Sequence, residues 1–353
     1  MDTINEGAVI LNVFQDTKIS KKLEVFYNPV MKFNRDTSIL LLNSISNMDL
    51  QIALPLSGSG VRGIRFIREL NEGKIKNIKF NDYSKSSVKL IQENLKLNGL
   101  KYRKLRKLKL LEVFNEDANL FLLNSQGYDY IDIDPFGPPI PFLDTAIRRL
   151  SKGGILAITA TDTSALSGTY PKACWRKYWA KPKKDYLMHE TGLRILIRRV
   201  QLIGMSLQKA LIPILSYSKD HYFRVFFRCE KSKSACDEVF KKQGMLGDVG
   251  PLWKGDLWDS SLLKKMVDNN TISENSNYLN LIYNESLIGG IGFYDIHVIC
   301  KEYKLNVPKF EDIFNKIRTQ GFKASKTHFS DKGIRSDIPY EDLIIIIKSL
   351  VQK

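Results

Sequence analysis

The feature that most constrains the fold is the stretch Gln126-Gly127-Tyr128-Asp129-Tyr130-Ile131-Asp132-Ile133-Asp134-Pro135-Phe136-Gly137-Pro138-Pro139. It begins as an apolar run of strand length bounded by Gly and Pro, the pattern of a strand buried inside a parallel sheet. It ends in Asp-Pro-Phe-Gly, where such a strand delivers residues to the carboxyl edge of the sheet, the edge at which open α/β sheets bind ligands. Each residue of the tetrad suits a base amine. Asp134 can accept a hydrogen bond from an exocyclic NH2, with the Pro135 carbonyl as second acceptor. Phe136 offers a flat face for an unstacked base, and Gly137 keeps space open beside the ring. Taken alone, the string is also compatible with an ordinary strand end and a Pro-rich turn. The rest of the chain decides between them.

The upstream segments repeat the strand-then-polar pattern. Leu50 to Leu56 reads as a strand, followed by the small-residue turn Ser57-Gly58-Ser59-Gly60 and a helix opening at Val61-Arg62-Gly63. The spacing Gly58-x-Gly60-x-x-Gly63 matches a dinucleotide fingerprint and leaves helix-start N–H groups available. Lys79-Phe80-Asn81-Asp82 closes a second strand, placing Asp82 where nucleoside ribose hydroxyls are held. Ser86 to Asn98 has helical spacing and stops at Gly99. A third strand, near Leu110 to Phe114, leads to Asn115-Glu116-Asp117-Ala118, where Asp117 can accept from an adenine amine. Four strand ends thus bring polar residues to one crevice.

Before these lies the string Phe26-Tyr27-Asn28-Pro29-Val30-Met31-Lys32-Phe33-Asn34-Arg35-Asp36. Asn28-Pro29 initiates a turn, and Asn34-Arg35-Asp36 precedes an apolar helical run capped by Asp36 or Thr37. Nothing local says what Arg35 would bind.

Downstream, Asp144 to Leu150 reads as a helix, and Gly153-Gly154 introduces a fifth strand, Ile155 to Ala160. Two more strands, Ala210 to Tyr217 and Tyr222 to Cys229, form a hairpin around Ser218-Lys219-Asp220-His221. A parallel sheet finished by such a hairpin is the arrangement of S-adenosyl-L-methionine (AdoMet)-dependent methyltransferases. Glu230 to Ser234 marks a boundary, and the remainder reads as a small α+β domain in which His328 beside Phe329 is structural.

The partner is suggested by charge. Lys and Arg total 54 against 38 Asp and Glu, a net charge of +16 spread along the chain, which fits a polyanion-facing surface. Two strings are locally suited to RNA: the basic run Lys101 to Lys109, readable also as a solvated face, and Tyr170-Pro171-Lys172-Ala173-Cys174-Trp175-Arg176-Lys177-Tyr178-Trp179-Ala180-Lys181-Pro182-Lys183-Lys184, readable also as a surface loop with inward Trp rings. No apolar run reaches membrane-spanning length, and the N-terminus lacks the pattern of a signal peptide. The four cysteines, Cys174, Cys229, Cys236 and Cys300, are scattered, so neither a disulfide frame nor a metal site is expected and a cytoplasmic setting is.

The strings Tyr27 to Asp36, Leu56 to Arg65, Asn81-Asp82, Glu116-Asp117-Ala118, Asp134 to Gly137, Gly250-Pro251-Leu252-Trp253 and Lys326-Thr327-His328-Phe329 together resemble the tRNA (guanine-26, N2)-dimethyltransferase family in its archaeal form. The resemblance implies a seven-stranded, Rossmann-like α/β methyltransferase domain over 1–232 and a smaller α+β, tRNA-binding accessory domain over 233–353. It implies AdoMet as methyl donor, bound by Arg35, Arg62, Asp82, Asp117 and Ala118. It also implies catalysis at Asp134, with Pro135 and Phe136 placing the guanine, and tRNA as partner of a monomer. Archaeal relatives often carry a zinc-binding cysteine cluster after the catalytic domain; only Cys236 stands in that region here. Leu54 stands where the family's first motif usually has an acidic residue. Two rival readings follow: amine methylation of another RNA or DNA base, and a non-enzymatic tRNA-binding protein with a degenerate cofactor pocket.

Overall fold

The computed structural model describes residues 1–14, 25 and 27–351. Phe26, which opens the string before the first helix, and Gln352-Lys353 at the end of the expected second domain lie outside the described residues. The chain divides into two compact units, one of residues 1–162, 200–212 and 224–240, the other of 163–199, 213–223 and 241–353. The last crossing between them falls somewhat C-terminal of the boundary expected after 232.

The first unit opens with an antiparallel hairpin, β1 (Asp2–Glu6) and β2 (Val9–Val13), turned at Gly7 with φ 57°. Asn94 and Asn98, one helical turn apart, exchange hydrogen bonds with the backbone of Asn12 and Ile10, which satisfies the otherwise open edge of β2. Then come α1 (Lys32–Ser44), β3 (Leu50–Leu54), α2 (Val61–Glu69), β4 (Ile75–Asn81), α3 (Lys85–Leu97), α4 (Tyr102–Lys107), β5 (Leu111–Phe114), α5 (Ala118–Leu123), β6 (Tyr128–Ile133), α6 (Ile140–Arg149) and β7 (Leu150–Ala160). Past β7 the second unit takes α7 (Thr163–Leu166), α8 (Pro171–Tyr178) and the first part of α9 (Met188–Ser206), and the chain returns to the first for the end of α9, the start of β8 (Ala210–Lys219), most of β9 (Tyr222–Glu230) and α10 (Lys233–Lys241).

A seven-stranded sheet runs in the order β5-β4-β3-β6-β7-β9-β8, with parallel ladders from β5 through β7. Only Asp220 and His221 separate β8 from β9, a connection that antiparallel strands alone can make. The expected Rossmann-like α/β sheet is therefore present. The order reverses between β3 and β6, so their carboxyl ends form the switch-point crevice.

Several boundaries differ from the sequence reading. The first helix starts at Lys32, not after Asp36. Asn34, Arg35, Asp36, Thr37 and Ser38 are all buried within it. A polar run imitates a loop when its hydrogen-bond partners are remote in sequence. Helix α6 begins at Ile140 because Pro at its first turn suits a helix start. Strand β7 begins at Leu150 and runs through Gly153-Gly154 rather than after them. The string 171–178 is helical, and its Trp175 and the following Trp179 are exposed rather than packed inward.

The second unit adds β10 (Gln243–Leu246), β11 (Val249–Trp253), α11 (Ser260–Asp268), α12 (Ser273–Ser286), β12 (Tyr294–Asp295), α13 (Ile296–Glu302), α14 (Phe310–Thr319), β13 (Ala324–Thr327), β14 (Ser330–Ser336) and α15 (Tyr340–Val351). The last three strands form an antiparallel sheet, β12-β14-β13, over a core that includes Ile296, Ile313, Ile317, Ile334 and Ile347. Polar packing is concentrated on two carboxylates. Glu190 lies between Arg194 (2.9 Å) and Arg335 (2.6 Å), and Arg335 also reaches Glu285 at 3.1 Å. His328 contacts Glu285 through Nδ1, and its Nε2 accepts from the Ser218 N–H at 3.3 Å, which makes it a structural residue. No helix among the described residues is long and apolar enough to cross a membrane.

Candidate active site

The crevice is built from the carboxyl ends of β3, β4, β5 and β6, and one amide braces three of them. The Asn81 side chain donates to the Pro55 carbonyl (3.0 Å) and the Glu116 carbonyl (3.1 Å), and accepts from the Glu116 N–H at 3.0 Å. Gly58 and Gly60 take the left-handed conformation, φ 52° and 80°, which an L side chain resists. Asp82 fixes this turn: one carboxylate oxygen accepts from the Gly58 N–H at 2.8 Å and the other from the Ser84 N–H at 3.0 Å. Each carboxylate oxygen has two lone pairs, so both keep capacity for hydroxyl donors. Asp117 caps α5 through one oxygen, accepting from Asn119 and Leu120 N–H at 2.9 and 3.2 Å. Ala118 is the first residue of that helix and is buried.

Asp134 directly follows β6 with its side chain 22% accessible, and Arg62 of α2 holds its Oδ2 at 2.5 Å. The same guanidinium donates to Ser38 (2.9 Å) and Asn34 (3.0 Å), and lies 3.4 Å from Asp132. Asp132 is wholly buried one pleat below Asp134 on the same face of β6. Arg224 of β9 grips it with two bonds, 3.0 and 2.7 Å, and donates to Thr159 at 2.9 Å and Ser38 at 2.9 Å. The Tyr130 hydroxyl adds a bond to Asp132 at 2.6 Å. Burial on its own would raise the Asp132 pKa; the charges of Arg224 and Arg62 outweigh it and hold the group below the usual carboxylate range. The result is a fixed ladder, Arg224–Asp132–Arg62–Asp134, whose last rung reaches the crevice.

Arg35 sits elsewhere in the lattice. It makes a two-pronged contact with Glu6 of β1, 2.6 and 2.5 Å, and donates to the Asn28 carbonyl at 3.1 Å. Arg65 joins from the other side, 2.9 Å from Glu6 and 2.7 Å from Asp36. Desolvation works against ionised Glu6, yet hydrogen bonding and charge from Arg35, with the Arg65 charge, bring its pKa down to about 2. The expected cofactor residues Arg62, Asp82, Asp117 and Ala118 thus lie on elements that frame the crevice, whereas the Arg35 guanidinium is engaged by Glu6.

The tetrad's turn is pinned to the end of β7: Gly137 N–H donates to the Thr161 hydroxyl at 2.7 Å, and Thr161 N–H to the Gly137 carbonyl at 3.2 Å. Gly137 has φ 84° with open space where a Cβ would project. Pro135 is buried and Phe136 is 41% exposed. Leu54 is a core residue of β3, packed where α2 approaches at Gly63. The reading of single motifs missed Glu6, Asn34, Ser38, Asn81, Asp132 and Arg224 as structural members of the site. For Asp132 a signal exists, since a charged residue in a central strand two positions before Asp134 requires a buried partner.

Acceptors at the ends of β4 and β5 match ribose hydroxyls and an adenine amine, while the Arg62 guanidinium, like that of Arg35, is engaged by neighbouring side chains. That acceptor set fits the adenosine part of AdoMet. The family model of N2,N2-dimethylguanosine tRNA methyltransferases matches residues 7–249 and 246–348. The chain belongs to that family. As a member it is a methyltransferase that uses AdoMet as methyl donor. It is 37% identical to a tRNA (guanine(26)-N(2))-dimethyltransferase of Methanocaldococcus jannaschii, over 97% of each chain. It is 36% identical to one of Methanococcus maripaludis, over 100% of each. A solved structure of Trm1 from Pyrococcus horikoshii in complex with S-adenosyl-L-methionine matches the fold with a TM-score of 0.87 at 32% identity, covering 98% of this chain and 100% of that one.

Proposed function

We propose that this methyltransferase dimethylates the exocyclic N2 of guanosine at position 26 of tRNA, with the guanine turned out of its stack into the Asp-Pro-Phe-Gly turn. The observation that carries this reading is the Asp134 carboxylate, clamped by Arg62 at the mouth of the crevice beside the half-exposed Phe136 ring. The relatives' named activity supports the choice of tRNA and of the position.

A guanine amine is a poor nucleophile because its lone pair is delocalised into the ring. Asp134 Oδ1 and the Pro135 carbonyl accept its two hydrogens, which draws the nitrogen toward tetrahedral geometry and aims the lone pair. Phe136 supports the base by stacking. Arg62, on the other carboxylate oxygen, keeps Asp134 oriented. Asp134 then takes up the proton released on transfer. Asp82, Asp117 and Ala118 would hold AdoMet, which would supply an electrophilic sulfonium methyl. Arg35 acts through α1: by fixing that helix on Glu6 it sets Asn34 and Ser38, which in turn hold Arg62. The second methylation requires donor exchange and rotation about the C–N bond.

Transfer of labelled methyl from AdoMet to an unmodified tRNA transcript, compared with one carrying adenosine at position 26, tests the reading. Label in the first alone is expected. Equal label in both moves the target, and none in either overturns the substrate. Asp134→Ala is expected to lower kcat by roughly 10²–10⁴-fold while tRNA stays bound; retained turnover removes the role given to Asp134.

A further inference from the structure

Helix α8 is patterned the wrong way round for a surface helix. Cys174 and Tyr178, one turn apart, are 0% exposed and anchor it. Its outward stripe is Lys172, Trp175, Arg176 and, just past the end, Trp179, positions spaced i, i+3, i+4 and i+7 and therefore on one face. Trp175 is 61% exposed, Trp179 55% and the preceding Tyr170 62%. Large rings left in water this way, on a chain that has ample core for them, mark a contact surface.

Two further observations show that the outermost ring is held, not merely left over. Trp179 closes the helix in the left-handed region at φ 55°, a rare backbone state for a bulky residue and one that clusters at functional sites. The Arg199 guanidinium lies 3.6 Å from the centroid of the Trp179 ring, while its Nε donates to the Lys177 carbonyl at 3.1 Å. A guanidinium on one side of an indole braces the ring, leaving a flat face for a second planar group. Nearby, Lys181 and Lys183 are balanced by Asp248, at 3.3 and 3.4 Å, so the cationic stripe beside the rings is that of Lys172 and Arg176.

We propose that this face is a base-stacking platform on which unpaired nucleotides of the tRNA substrate dock, Trp175 and Trp179 taking bases and Lys172 and Arg176 the adjoining phosphates. Alternating rings and cations on one rigid helix match single-stranded RNA, whose bases stack while its backbone needs neutralising. The proposal rests on tRNA being the substrate.

The test is equilibrium binding of an unmodified tRNA transcript at fixed salt by wild type, Trp175→Ala/Trp179→Ala and Trp175→Phe/Trp179→Phe, with AdoMet binding and thermal melting measured on each. The alanine pair is expected to weaken Kd for tRNA by at least ~10-fold and to raise KM for tRNA equally, with AdoMet affinity and melting unchanged; the phenylalanine pair is expected to recover most of the loss. Lys172→Ala/Arg176→Ala is expected to flatten the salt dependence of log Kd by about 1–2. A Kd for the alanine pair within twofold of wild type overturns the proposal, and a simultaneous loss of self-association would reassign the face to a protein contact. If wild type methylates tRNA and the alanine pair does so with unchanged KM, only the platform is refuted; if wild type neither binds nor methylates tRNA, the substrate reading falls with it.

Discussion

Asp134 stands at the end of a ladder of alternating charges, and the ladder is the part of the candidate site that single motifs conceal. Asp134, Asp82 and Asp117 could be placed at strand ends because each closely follows a strand-patterned run and needs nothing remote to be positioned. Arg224 was not legible, since its partner Asp132 is far away in sequence and only the sheet order puts β9 within reach. A buried pair of this kind is costly to break and cheap to remove whole. Asp132→Leu should therefore cost about 3–5 kcal/mol in urea unfolding by stranding Arg224, and Asp132→Leu/Arg224→Leu should regain most of it. The double variant should still turn over at least ~10-fold more slowly than wild type, with unchanged tRNA affinity, because Arg62 has lost the carboxylate that steadies it behind Asp134. Full kcat in the stable double variant would show that Asp132 and Arg224 serve the fold alone.

Among elements, α2 carries the most. It brings Arg62 to the site and Arg65 to Glu6, and its N-terminus follows the glycine turn. The glycine spacing was readable, and the structure gives its third member a packing reason: a Cβ on Gly63 would overlap the Phe80 ring and Leu54, so α2 can lie this close to β3 and β4 only without one. Gly63→Ala should lower stability by about 1–3 kcal/mol through overpacking. By lifting α2 it should also raise KM for AdoMet more than it changes KM for tRNA. A calorimetric titration of AdoMet set against thermal melting checks this, and unchanged AdoMet affinity at a lowered Tm would separate packing from site geometry. Helix α1 shows the converse limit. Its polar first turns read as a loop from local chemistry, and groups delivered from α2, β1 and β7 help make burial of Asn34, Arg35 and Asp36 favourable.

At the scale of the whole molecule, the two compact units repeat one device: a buried carboxylate flanked by two arginines, Glu6 between Arg35 and Arg65, Glu190 between Arg194 and Arg335. Burial opposes ionisation of both, and the arginines overcome it, bringing each pKa from 4.5 to about 2. Because the folded value lies below the unfolded one, the stabilisation is fully present above pH 4.5 and is lost as pH falls toward 2. For Glu6 the shift corresponds to roughly 3 kcal/mol. Both units should therefore weaken in the same acid window, and the chain offers a way to watch them apart. All four tryptophans, Trp175, Trp179, Trp253 and Trp258, belong to the second unit, and the Arg335 guanidinium sits 5.4 Å from the Trp258 ring. Tryptophan fluorescence thus follows the second unit, and far-ultraviolet circular dichroism follows both. In urea titrations from pH 6 down to pH 2.5, Glu190→Gln should lower the fluorescence midpoint at pH 6 and flatten its fall with acid, because the group that takes up the proton is gone. Glu6→Gln should leave the fluorescence midpoint in place and change only the circular dichroism transition. If Glu6→Gln moves both signals together, the units unfold as one cooperative body, and the acid sensitivity of the site in the first is shared by the second.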